Sequence, residues 1–521
     1  MTRPRAVVRT SGAAFDRVVD VAGMRRLEST TAPEIDLMHR AGTALAVAVH
    51  RRVGPLRGRV IVALVGPGDN GGDALIMART LARGGAAVVC WASRARSADP
   101  LVDAARAAGV RWRVWSGDAR PIARDIRGAA AVVDGLLGIG STPPLRGQVA
   151  EMLRALPEVP GQLRLAIDVP SGICGDTGHA DPLTFRATGT LATGPIKLGA
   201  VLHPGIEYAG AVEALDIGLA PEIAASGAPR IIDAATVRDL APARPLDGHK
   251  GTFGRVLIVG GSAAYRGAPA LAALAAQSAG AGVVTVASVE ASVGACAAVA
   301  PAATFRVLAA NTDGCIGASL DAIEALGEPT ALLVGPGLSR SPSSDALARD
   351  LATDARRGVP TVVDADGLNA LAAEPARLGT LGPNAILTPH PGEMRRLLDL
   401  AETPRGADMM QATRELAALS GAVVVGKGSP TFVATDNQLF LLARPNPALA
   451  AAGSGDVLAG AVAALAAQGL RPPDAARLGV WLHARAGELA ADGRAAGIAV
   501  ERIARKLGPA LAETLEQDGA P

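Results

Sequence analysis

The chain has 521 residues, of which 49% are apolar and 19% charged, and its net charge is +2. One ordinary hydrophobic core does not hold a chain of this length, so two or more domains are expected. Aromatic residues make up only 2% of the chain and charges of both signs are interspersed, which argues against a nucleic-acid partner and a membrane-surface partner.

The first half of the chain alternates β-branched runs with helical stretches rich in Ala, Leu and Arg. A long helix is predicted over APEIDLMHRAGTALAVAVHRR, from Ala32. Strands are predicted at RVIVALV from Arg59, AAVVCWAS from Ala86, AAAVVDGLLG from Ala129 and LRLAIDVPSG from Leu163. Strands that are apolar throughout are typical of a parallel sheet with helices on both faces. We therefore predict a Rossmann-like, three-layer αβα domain over 12–220.

A glycine-rich stretch, GPGDNGGDA, follows the first of these strands from Gly66. Its glycines suit a backbone that approaches a phosphate closely, but Asp69 and Asp73 would repel that phosphate. We expect Asp73 to cap the helix that follows. The string is not GxGxxG, and no acidic residue closes a credible strand at the distance where ribose is bound, which disfavours an ordinary dinucleotide-binding motif.

Asp168 ends the predicted strand LRLAID, just before Pro170. A carboxylate at the end of a parallel strand lies in the cleft where ligands gather, so it is placed for acid–base chemistry. An aspartate that only ties down the following PSG turn is the alternative.

A stretch rich in Pro, Gly and Ala interrupts the pattern, and we place a linker at 221–247. A second, different α/β domain is predicted over 248–518. Its pieces are GRVLIVGGS, GAGVVTVAS, TALLVGPGLS, PTVVDADGL, NAILTPHPGE and AVVVGKGSPTFVATDNQLFLLA. The last of these predicts a strand followed by a hairpin.

The string AAGSGDVLAGAVAALAAQGL places Gly453, Ser454 and Gly455 directly before Asp456 and a long helix. Free amides at a helix start bind anions, aided by the positive end of the helix dipole. A carboxylate in the first turn can take a proton from a hydroxyl while the amides hold the developing negative charge. A structural N-cap aspartate after a glycine turn is the alternative.

Two further strand ends carry polar side chains. Lys427 lies in the glycine turn GKGSPTFV, where it suits a nucleotide phosphate. His390 stands between two prolines in TPHPGEM, with Glu393 close behind, and a solvated turn histidine is the alternative.

These strings together resemble a known family. GGSAAYRGAP, VGPGLS, VDADGLNAL, NAILTPHPGEM, VVGKGSPT and AGSGDVLAG, in this order over about 235–515, look like the ADP- or ATP-dependent NAD(P)H-hydrate dehydratases of the ribokinase-like fold. The resemblance implies that substrate is bound by Ala268, Gly337, His390 and Asp456. It implies that nucleotide is bound by Lys427, Gly428, Ser429, Pro430, Thr431, Gly453, Ser454 and Gly455. Ser454 stands where the family usually has Thr, and both carry a hydroxyl.

The first half resembles the NAD(P)H-hydrate epimerases over about 12–218. The matching strings are GPGDNGGDA, VVDGLLGIGSTPPLRG, AIDVPSGICGDTG and, more weakly, TLATGPIKLG. The resemblance implies that substrate is bound by Asp69, Asn70, Gly71, Gly72, Asp73, Gly138, Ile139, Gly140, Ser141, Thr142 and Asp168. It implies a potassium ion held by Asn70, Asp134 and Ser171. Asp69 replaces a family Asn and Ala74 replaces a family Gly.

Both resemblances imply one bifunctional enzyme that repairs hydrated NADH and NADPH. The first domain would interconvert the R and S hydrates, with Asp168 as a catalytic residue. The second would dehydrate the S form with ADP or ATP and Mg²⁺, with Asp456 as the base. A small-molecule kinase for a sugar or hydroxymethylpyrimidine, fused to a nucleotide-binding regulatory module, is the alternative. The sequence decides neither between ADP and ATP nor between NADHX and NADPHX.

The four cysteines are scattered and form no CxxC pair, which argues against a disulfide framework and a structural zinc site. No apolar run is long enough to span a bilayer. We therefore expect a cytoplasmic protein without a membrane partner. We also expect a homo-oligomer, although no residue pattern specifies the number of subunits.

Overall fold

The computed structural model describes residues 8–9, 16–31, 36–219, 228–354 and 358–516. Contacts within the chain divide it into two units, Met1–Ile231 and Ile232–Pro521. Each unit contains one large sheet that is mainly or wholly parallel. Among the described residues, no helix is long and apolar enough to cross a membrane.

The first unit alternates strands and helices, as its sequence pattern predicts. Its strands are β1 (Val8–Arg9), β2 (Val18–Val19), β3 (Val60–Val65), β4 (Ala87–Ala92), β5 (Arg111–Val114), β6 (Ala131–Gly135), β7 (Leu163–Ile167), β8 (Gly189–Thr193), β9 (Ile196–Lys197), β10 (Ala211–Leu215) and, at its end, β11 (Arg230–Ile231). Its helices are α1 (Val21–Thr30), α2 (Leu37–Val53), α3 (Asp69–Arg83), α4 (Pro100–Ala107), α5 (Ala119–Arg127), α6 (Gly147–Ala155) and α7 (Ile206–Ala209). Eight strands form a parallel sheet in the order β1-β10-β8-β7-β6-β3-β4-β5, and β2 pairs separately with β9.

Helices cover both faces of this sheet. Alternate residues of β3 contribute to two buried clusters, because successive side chains of a strand point to opposite faces. One cluster includes Leu45 of α2 and Leu75 of α3, and the other includes Ile122 of α5 and Met152 of α6. The predicted three-layer, Rossmann-like architecture is confirmed.

The strand order reverses beside β3. The chain runs outward from β3 to β4 and β5, and then returns to β6 on the opposite side of β3. Loops at such a reversal diverge and leave a crevice at the carboxyl ends of the strands, where ligands bind. The glycine stretch after β3 and the loop after β6 border this crevice.

The described residues of the second unit form nine further strands. They are β12 (Arg255–Val259), β13 (Val283–Val289), β14 (Thr304–Leu308), β15 (Ala331–Val334), β16 (Thr361–Val363), β17 (Ala385–Leu387), β18 (Val423–Gly426), β19 (Thr431–Ala434) and β20 (Leu439–Leu442). Their order is β20-β19-β18-β17-β16-β15-β12-β13-β14. Only β18-β19 and β19-β20 pair antiparallel, which is the strand and hairpin that the sequence predicts.

The helices of this unit lie between and after the strands. They are α8 (Ala234–Arg238), α9 (Ala268–Ser278), α10 (Glu290–Val299), α11 (Leu320–Glu324), α12 (Pro342–Thr353), α13 (Asp366–Ala372), α14 (Pro391–Leu397), α15 (Gly406–Ser420), α16 (Ser454–Ala467), α17 (Pro472–Ala491), α18 (Val500–Arg505) and α19 (Leu507–Glu516). Helices α9 and α16 pack very closely, since a Cβ on Gly460 would lie 2.2 Å from the Ala272 carbonyl oxygen. This contact sets the first turn of α16 beside the first turn of α9.

The segment predicted as a linker, 221–247, contains ordered elements. Residues 221–227 lie outside the described part of the chain, and β11 and α8 follow them. Asp233 and Thr236 form a capping box at the start of α8. The limits 12–220 and 248–518 stay predictions.

Candidate active sites

The glycine stretch after β3 is a short loop, because α3 begins at Asp69. Gly68 is the N-cap residue of α3, so the prediction that Asp73 caps this helix is wrong. Asp73 lies beyond the first turn, too far along the helix to reach its free amides. A glycine is required at position 66, because a Cβ there would lie 1.6 Å from the Leu136 carbonyl oxygen. The loops after β3 and β6 therefore touch.

The three residues predicted to hold a cation lie together. Ser171 donates to Asp134 twice, from Oγ to Oδ1 at 2.7 Å and from the backbone N to Oδ2 at 2.8 Å. Asn70 Nδ2 donates to the Leu137 carbonyl at 2.9 Å, and Leu137 N donates to Ser171 Oγ at 2.9 Å. Burial raises the pKa of Asp134 to about 6, although the bonds from Ser171 favour its ionised form.

The predicted substrate loop after β6, 138–142, borders this cluster. A Cβ on Gly138 would lie 3.5 Å from the side chain of Asn70. Ser141 N donates to the Gly138 carbonyl at 3.2 Å and closes a turn. Gly140 and Thr142 are exposed, so only the start of the loop reaches the buried residues.

Asp168 forms a buried ion pair at the end of β7. Lys197 Nζ lies 2.5 Å from Asp168 Oδ1, and Thr193 Oγ1 donates to the same oxygen at 3.1 Å. Lys197 is fully buried and also donates to the Thr193 carbonyl at 2.7 Å. Asp168 has a φ of 67°, in the left-handed region that L-residues rarely adopt. Such strain persists where the surroundings hold it, and functional sites are its usual place.

Several carboxylates face this pair. Desolvation and, after it, the charges of Asp168 and Asp69 together raise the pKa of Asp73 to about 8. Lys197 opposes the rise, and Glu28 on α1 adds to it. At neutral pH Asp73 is therefore protonated, which reduces the negative charge that the crevice presents to a phosphate.

In the second unit, α16 begins directly after Gly453, whose φ of 91° suits only glycine. Gly453 is the N-cap residue, and Asp456 lies in the first turn of the helix. The alternative of an N-cap aspartate is therefore wrong. Desolvation raises the pKa of Asp456 to about 7, with Asp364 adding to the rise and Lys427 opposing it.

Lys427 lies over the start of α16. A Cβ on Gly455 would lie 3.3 Å from Lys427 Nζ. The ammonium contacts protein carboxylates, at 2.7 Å from Asp364 Oδ1 and 3.8 Å from Glu393 Oε2. Burial opposes its charge, but Asp364 and Glu393 raise the pKa of Lys427. Asp364 is buried and also accepts from Thr388 Oγ1 at 2.7 Å, so it holds the lysine firmly.

His390 is the N-cap residue of α14. Its Nδ1 accepts from the backbone N of Gly392 at 3.0 Å and of Glu393 at 3.3 Å, and Glu393 accepts from His390 N at 2.8 Å. Because Nδ1 accepts, the ring carries its proton on Nε2, which lies 3.4 Å from Glu393 Oε1. Burial and the charge of Lys427 lower the pKa of His390. His390 is thus an exposed residue that caps α14, and its binding of substrate stays a prediction beside the solvated turn histidine.

Ala268 and Gly337 come together at the start of α9. A Cβ on Gly337 would lie 3.1 Å from Ala268 Cβ. Leu271, one turn along α9, contacts the loop before α16, since a Cβ on Gly453 would lie 2.5 Å from its Cδ1. The predicted substrate residues therefore lie next to the helix start that carries Asp456.

The predicted nucleotide turn, 428–431, connects β18 to β19. Together with α16 and α17 it lines a cavity of about 90 Å³, which His483 also borders. His483 Nε2 lies 3.0 Å from Ser454 Oγ, and burial lowers the pKa of His483 to about 4. The imidazole is therefore neutral at physiological pH.

Sequence reasoning missed three buried partners: Lys197, Asp364 and His483. Lys197 and Asp364 stand in the strings TLATGPIKLG and PTVVDADGL, and His483 lies on α17. Their partners lie 29, 63 and 29 residues away along the chain. Only the pairing of distant strands and helices identifies them.

Comparisons with known proteins identify relatives of both units. A family model described as NAD(P)H-hydrate dehydratase matches residues 256–509, and one described as YjeF-related protein N-terminus matches residues 34–199. A bifunctional NAD(P)H-hydrate repair enzyme of Moorella thermoacetica is 38% identical over 486 residues, covering 88% of each chain. One of Gloeobacter violaceus is 36% identical, covering 96% of this chain and 99% of the relative.

Among solved structures, an ADP/ATP-dependent NAD(P)H-hydrate dehydratase from Bacillus subtilis is 26% identical, with a TM-score of 0.44, and covers 55% of this chain and 99% of its own. The sequence matches favour a dehydratase over a sugar or hydroxymethylpyrimidine kinase for the second unit. The chain belongs to the family of bifunctional NAD(P)H-hydrate repair enzymes, which join an epimerase and a dehydratase.

Proposed function

We propose that the second unit dehydrates the S hydrate of NAD(P)H at the start of α16, with Asp456 as the base and ADP or ATP as the phosphoryl donor. The observation that supports this most is the position of Asp456. Its carboxyl group has a pKa near neutrality and lies in the first turn of a helix, beside the ammonium of Lys427.

The chemistry follows from these positions. Hydroxide leaves a carbon poorly, whereas a phosphate group leaves readily. Asp456 takes the proton of the C6 hydroxyl as that oxygen bonds to the terminal phosphorus, and the nucleotide loses one phosphoryl group. The C6–O bond then breaks, phosphate departs, and loss of a proton from C5 forms the C5=C6 double bond of NAD(P)H. The amide of Gly455 and the ammonium of Lys427 stabilise the negative charge on the transferred group.

Mg²⁺ fits this arrangement as a nucleotide-bound ion. The described residues contain no cluster of three or more His, Cys, Asp or Glu side chains that would hold a metal by themselves. Mg²⁺ is commonly bound by substrate phosphates with one or two carboxylates, and Asp364 and Asp456 lie close enough to this helix start to serve. When bound, the ion neutralises phosphate charge.

We propose that the first unit exchanges the R and S hydrates at Asp168. Inversion at C6 requires a bond to that carbon to break and re-form on the opposite face, and a group that accepts and returns a proton assists both directions. Lys197 and Thr193 engage only Oδ1 of Asp168. They fix the carboxylate and leave Oδ2 for the substrate.

A potassium ion fits beside Asn70, Asp134 and Ser171, since these side chains offer oxygen atoms with a single formal charge. Asn70 uses its Nδ2 group for hydrogen bonds to the Leu137 and Ile167 carbonyls, which leaves Oδ1 as a ligand atom. A weakly hydrated monovalent ion suits such a site better than Mg²⁺, which gives up its water reluctantly. When bound, the ion offsets the repulsion between carboxylates and substrate phosphates. Asp134→Ala should abolish any potassium dependence of epimerisation and spare dehydration.

The decisive experiment incubates purified protein with S-NADHX and ADP, ATP or no nucleotide, and follows NADH formation and phosphate release. We expect NADH and free phosphate in equal amounts. A stable phosphorylated product without NADH would support a kinase instead. Epimerisation is measured separately, from the conversion of pure R hydrate to S hydrate without nucleotide.

The compartment and assembly are also proposals. The four cysteines are free thiols, three of them buried, as a reducing cytoplasm would keep them. Size measurement in solution would test the expected homo-oligomer.

A further inference from the structure

Tyr265 is the one aromatic side chain that stands exposed among the described residues. Its exposed fraction is 59%, in a chain that has only 2% aromatic residues. The other tyrosine, Tyr208, is covered by the Arg186 guanidinium at 4.5 Å. The ring of Tyr265 is therefore open to contact with a ligand.

The loop that carries Tyr265 is rigid. Tyr265 N donates to Ser262 Oγ at 3.1 Å and Ser262 N donates to the Tyr265 carbonyl at 3.4 Å, which closes a tight turn. Ala263 N donates to the Gly314 carbonyl at 2.9 Å, and Arg266 Nε donates to the Ala263 carbonyl at 2.9 Å. The backbone under the ring is thus held in place, which limits where the ring can lie.

The turn also lies against the predicted substrate residues. A Cβ on Gly337 would lie 2.8 Å from the Tyr265 carbonyl oxygen and 3.0 Å from Tyr265 Cβ. The same position lies 3.1 Å from Ala268 Cβ. Through Leu271 of α9, this group connects to Gly453 and the helix start that carries Asp456. Tyr265 therefore stands at the edge of the dehydratase site.

We infer that Tyr265 is a stacking platform for the adenine ring of the NAD(P)H hydrate, an inference that rests on the proposed dehydratase function. The hydrated nicotinamide ring has lost its planar π-system at C5 and C6, so it stacks poorly. Adenine keeps a flat π-face, and aromatic side chains stack on such faces without a need for hydrogen bonds. The ring of Tyr265 thus holds the end of the substrate that does not react.

This role has a kinetic signature. A contact to a non-reacting part of the substrate that is equal in the ground state and the transition state changes KM and leaves kcat alone. Loss of one base–aromatic stack weakens binding by about 5- to 100-fold. The phenol oxygen takes no part in stacking, so phenylalanine should replace tyrosine without loss.

The test compares Tyr265→Ala and Tyr265→Phe with the wild type, at saturating ADP or ATP and varied S-NADHX. We expect Tyr265→Ala to raise KM by about 5- to 100-fold with kcat within about twofold, and Tyr265→Phe to match the wild type. ADP-ribose, which keeps adenine and lacks nicotinamide, should inhibit competitively against S-NADHX and lose potency only in Tyr265→Ala. Leu419→Ala, at an exposed apolar position on α15, is the matched control and should change nothing.

If the wild type forms NADH, the dehydratase assignment stands. An unchanged KM in Tyr265→Ala, or an equal rise of KM in Tyr265→Phe, would then overturn the inference about Tyr265. A wild type that forms no NADH would refute that assignment instead. Calorimetric titration with ADP-ribose then decides the inference by itself. The inference requires that Tyr265→Phe binds ADP-ribose as the wild type does and that Tyr265→Ala binds it about 5- to 100-fold more weakly.

Discussion

In the first unit Lys197 lies 2.5 Å from Asp168, and in the second Lys427 lies 2.7 Å from Asp364. Both pairs stand at the carboxyl ends of parallel strands, but they are used differently. The first lysine binds the predicted catalytic carboxylate itself. The second binds Asp364, a neighbour of the predicted base Asp456, and that base has no ion-pair partner among the residues that the structure describes. The position of the lysine therefore differs between the two sites: it fixes the predicted catalytic carboxylate in the first unit and a neighbouring carboxylate in the second.

The largest expected effect comes from the unpaired base. Asp456→Asn should lower nucleotide-dependent dehydration by about two to four orders of magnitude, because a general base is lost. Nucleotide binding should survive, since the backbone amides at the start of α16 remain. Turnover and nucleotide affinity measured on one preparation check this, with Asp399→Asn on an exposed loop as control. Activity within a few-fold of wild type would remove Asp456 from the mechanism.

The paired carboxylate should behave as a separate unit. Asp168→Ala should stop the conversion of R to S hydrate and leave the dehydration of pure S hydrate intact, because the two units have their own cores. The variant also leaves the Lys197 ammonium buried without its partner, which costs about 3–5 kcal/mol of stability in the first unit. Thermal unfolding with both activity assays separates the two effects. A folded variant that loses both activities contradicts the division.

The two sites should respond to pH in opposite directions. The pKa of Asp456 is about 7, and the base acts only when ionised, so dehydration should fall about tenfold for each pH unit below that value. The pKa of Asp73 is about 8, so the first site gains a negative charge above that pH and its KM for a phosphate-bearing substrate should rise. Rate profiles for both reactions check this contrast, and Asp73→Asn should remove the alkaline limb. If the two reactions showed the same pH profile, Asp456 and Asp73 would not be the groups that set their pH dependence.

The smallest effect is expected at the position that departs from the epimerase family. Asp69→Asn removes one exposed negative charge beside the crevice and should tighten substrate binding by a few-fold or leave it unchanged. The pKa of Asp73 should fall slightly, because the charge of Asp69 contributes to its rise. Epimerase KM at low and at high salt measures the electrostatic part. Weaker binding in this variant would mean that Asp69 contacts the substrate directly.

Local pattern was sufficient for much of the chain. Neighbouring residues suffice to predict the apolar strands, the glycine turns that follow them and the helix after Gly453. The periodicity of side chains and the backbone conformations open to glycine are both local properties. The strings on either side of the predicted linker likewise indicate two α/β units. The prediction that Asp73 caps α3 placed the start of this helix too late, because the N-cap is Gly68. The position of the N-cap depends on where β3 ends and on the contact of Gly66 with the loop after β6.

The sequence by itself thus determined the two sheets, their glycine turns and the candidates Asp168 and Asp456. Only the tertiary structure decided the partners of these groups. Lys197, Asp364 and His483 reach their sites from strands and helices far along the chain. The protonation of Asp73 and Asp456 follows from burial and from charges on other elements. Electrostatic interactions depend on distance in space and on local dielectric, and neither can be read from the order of residues.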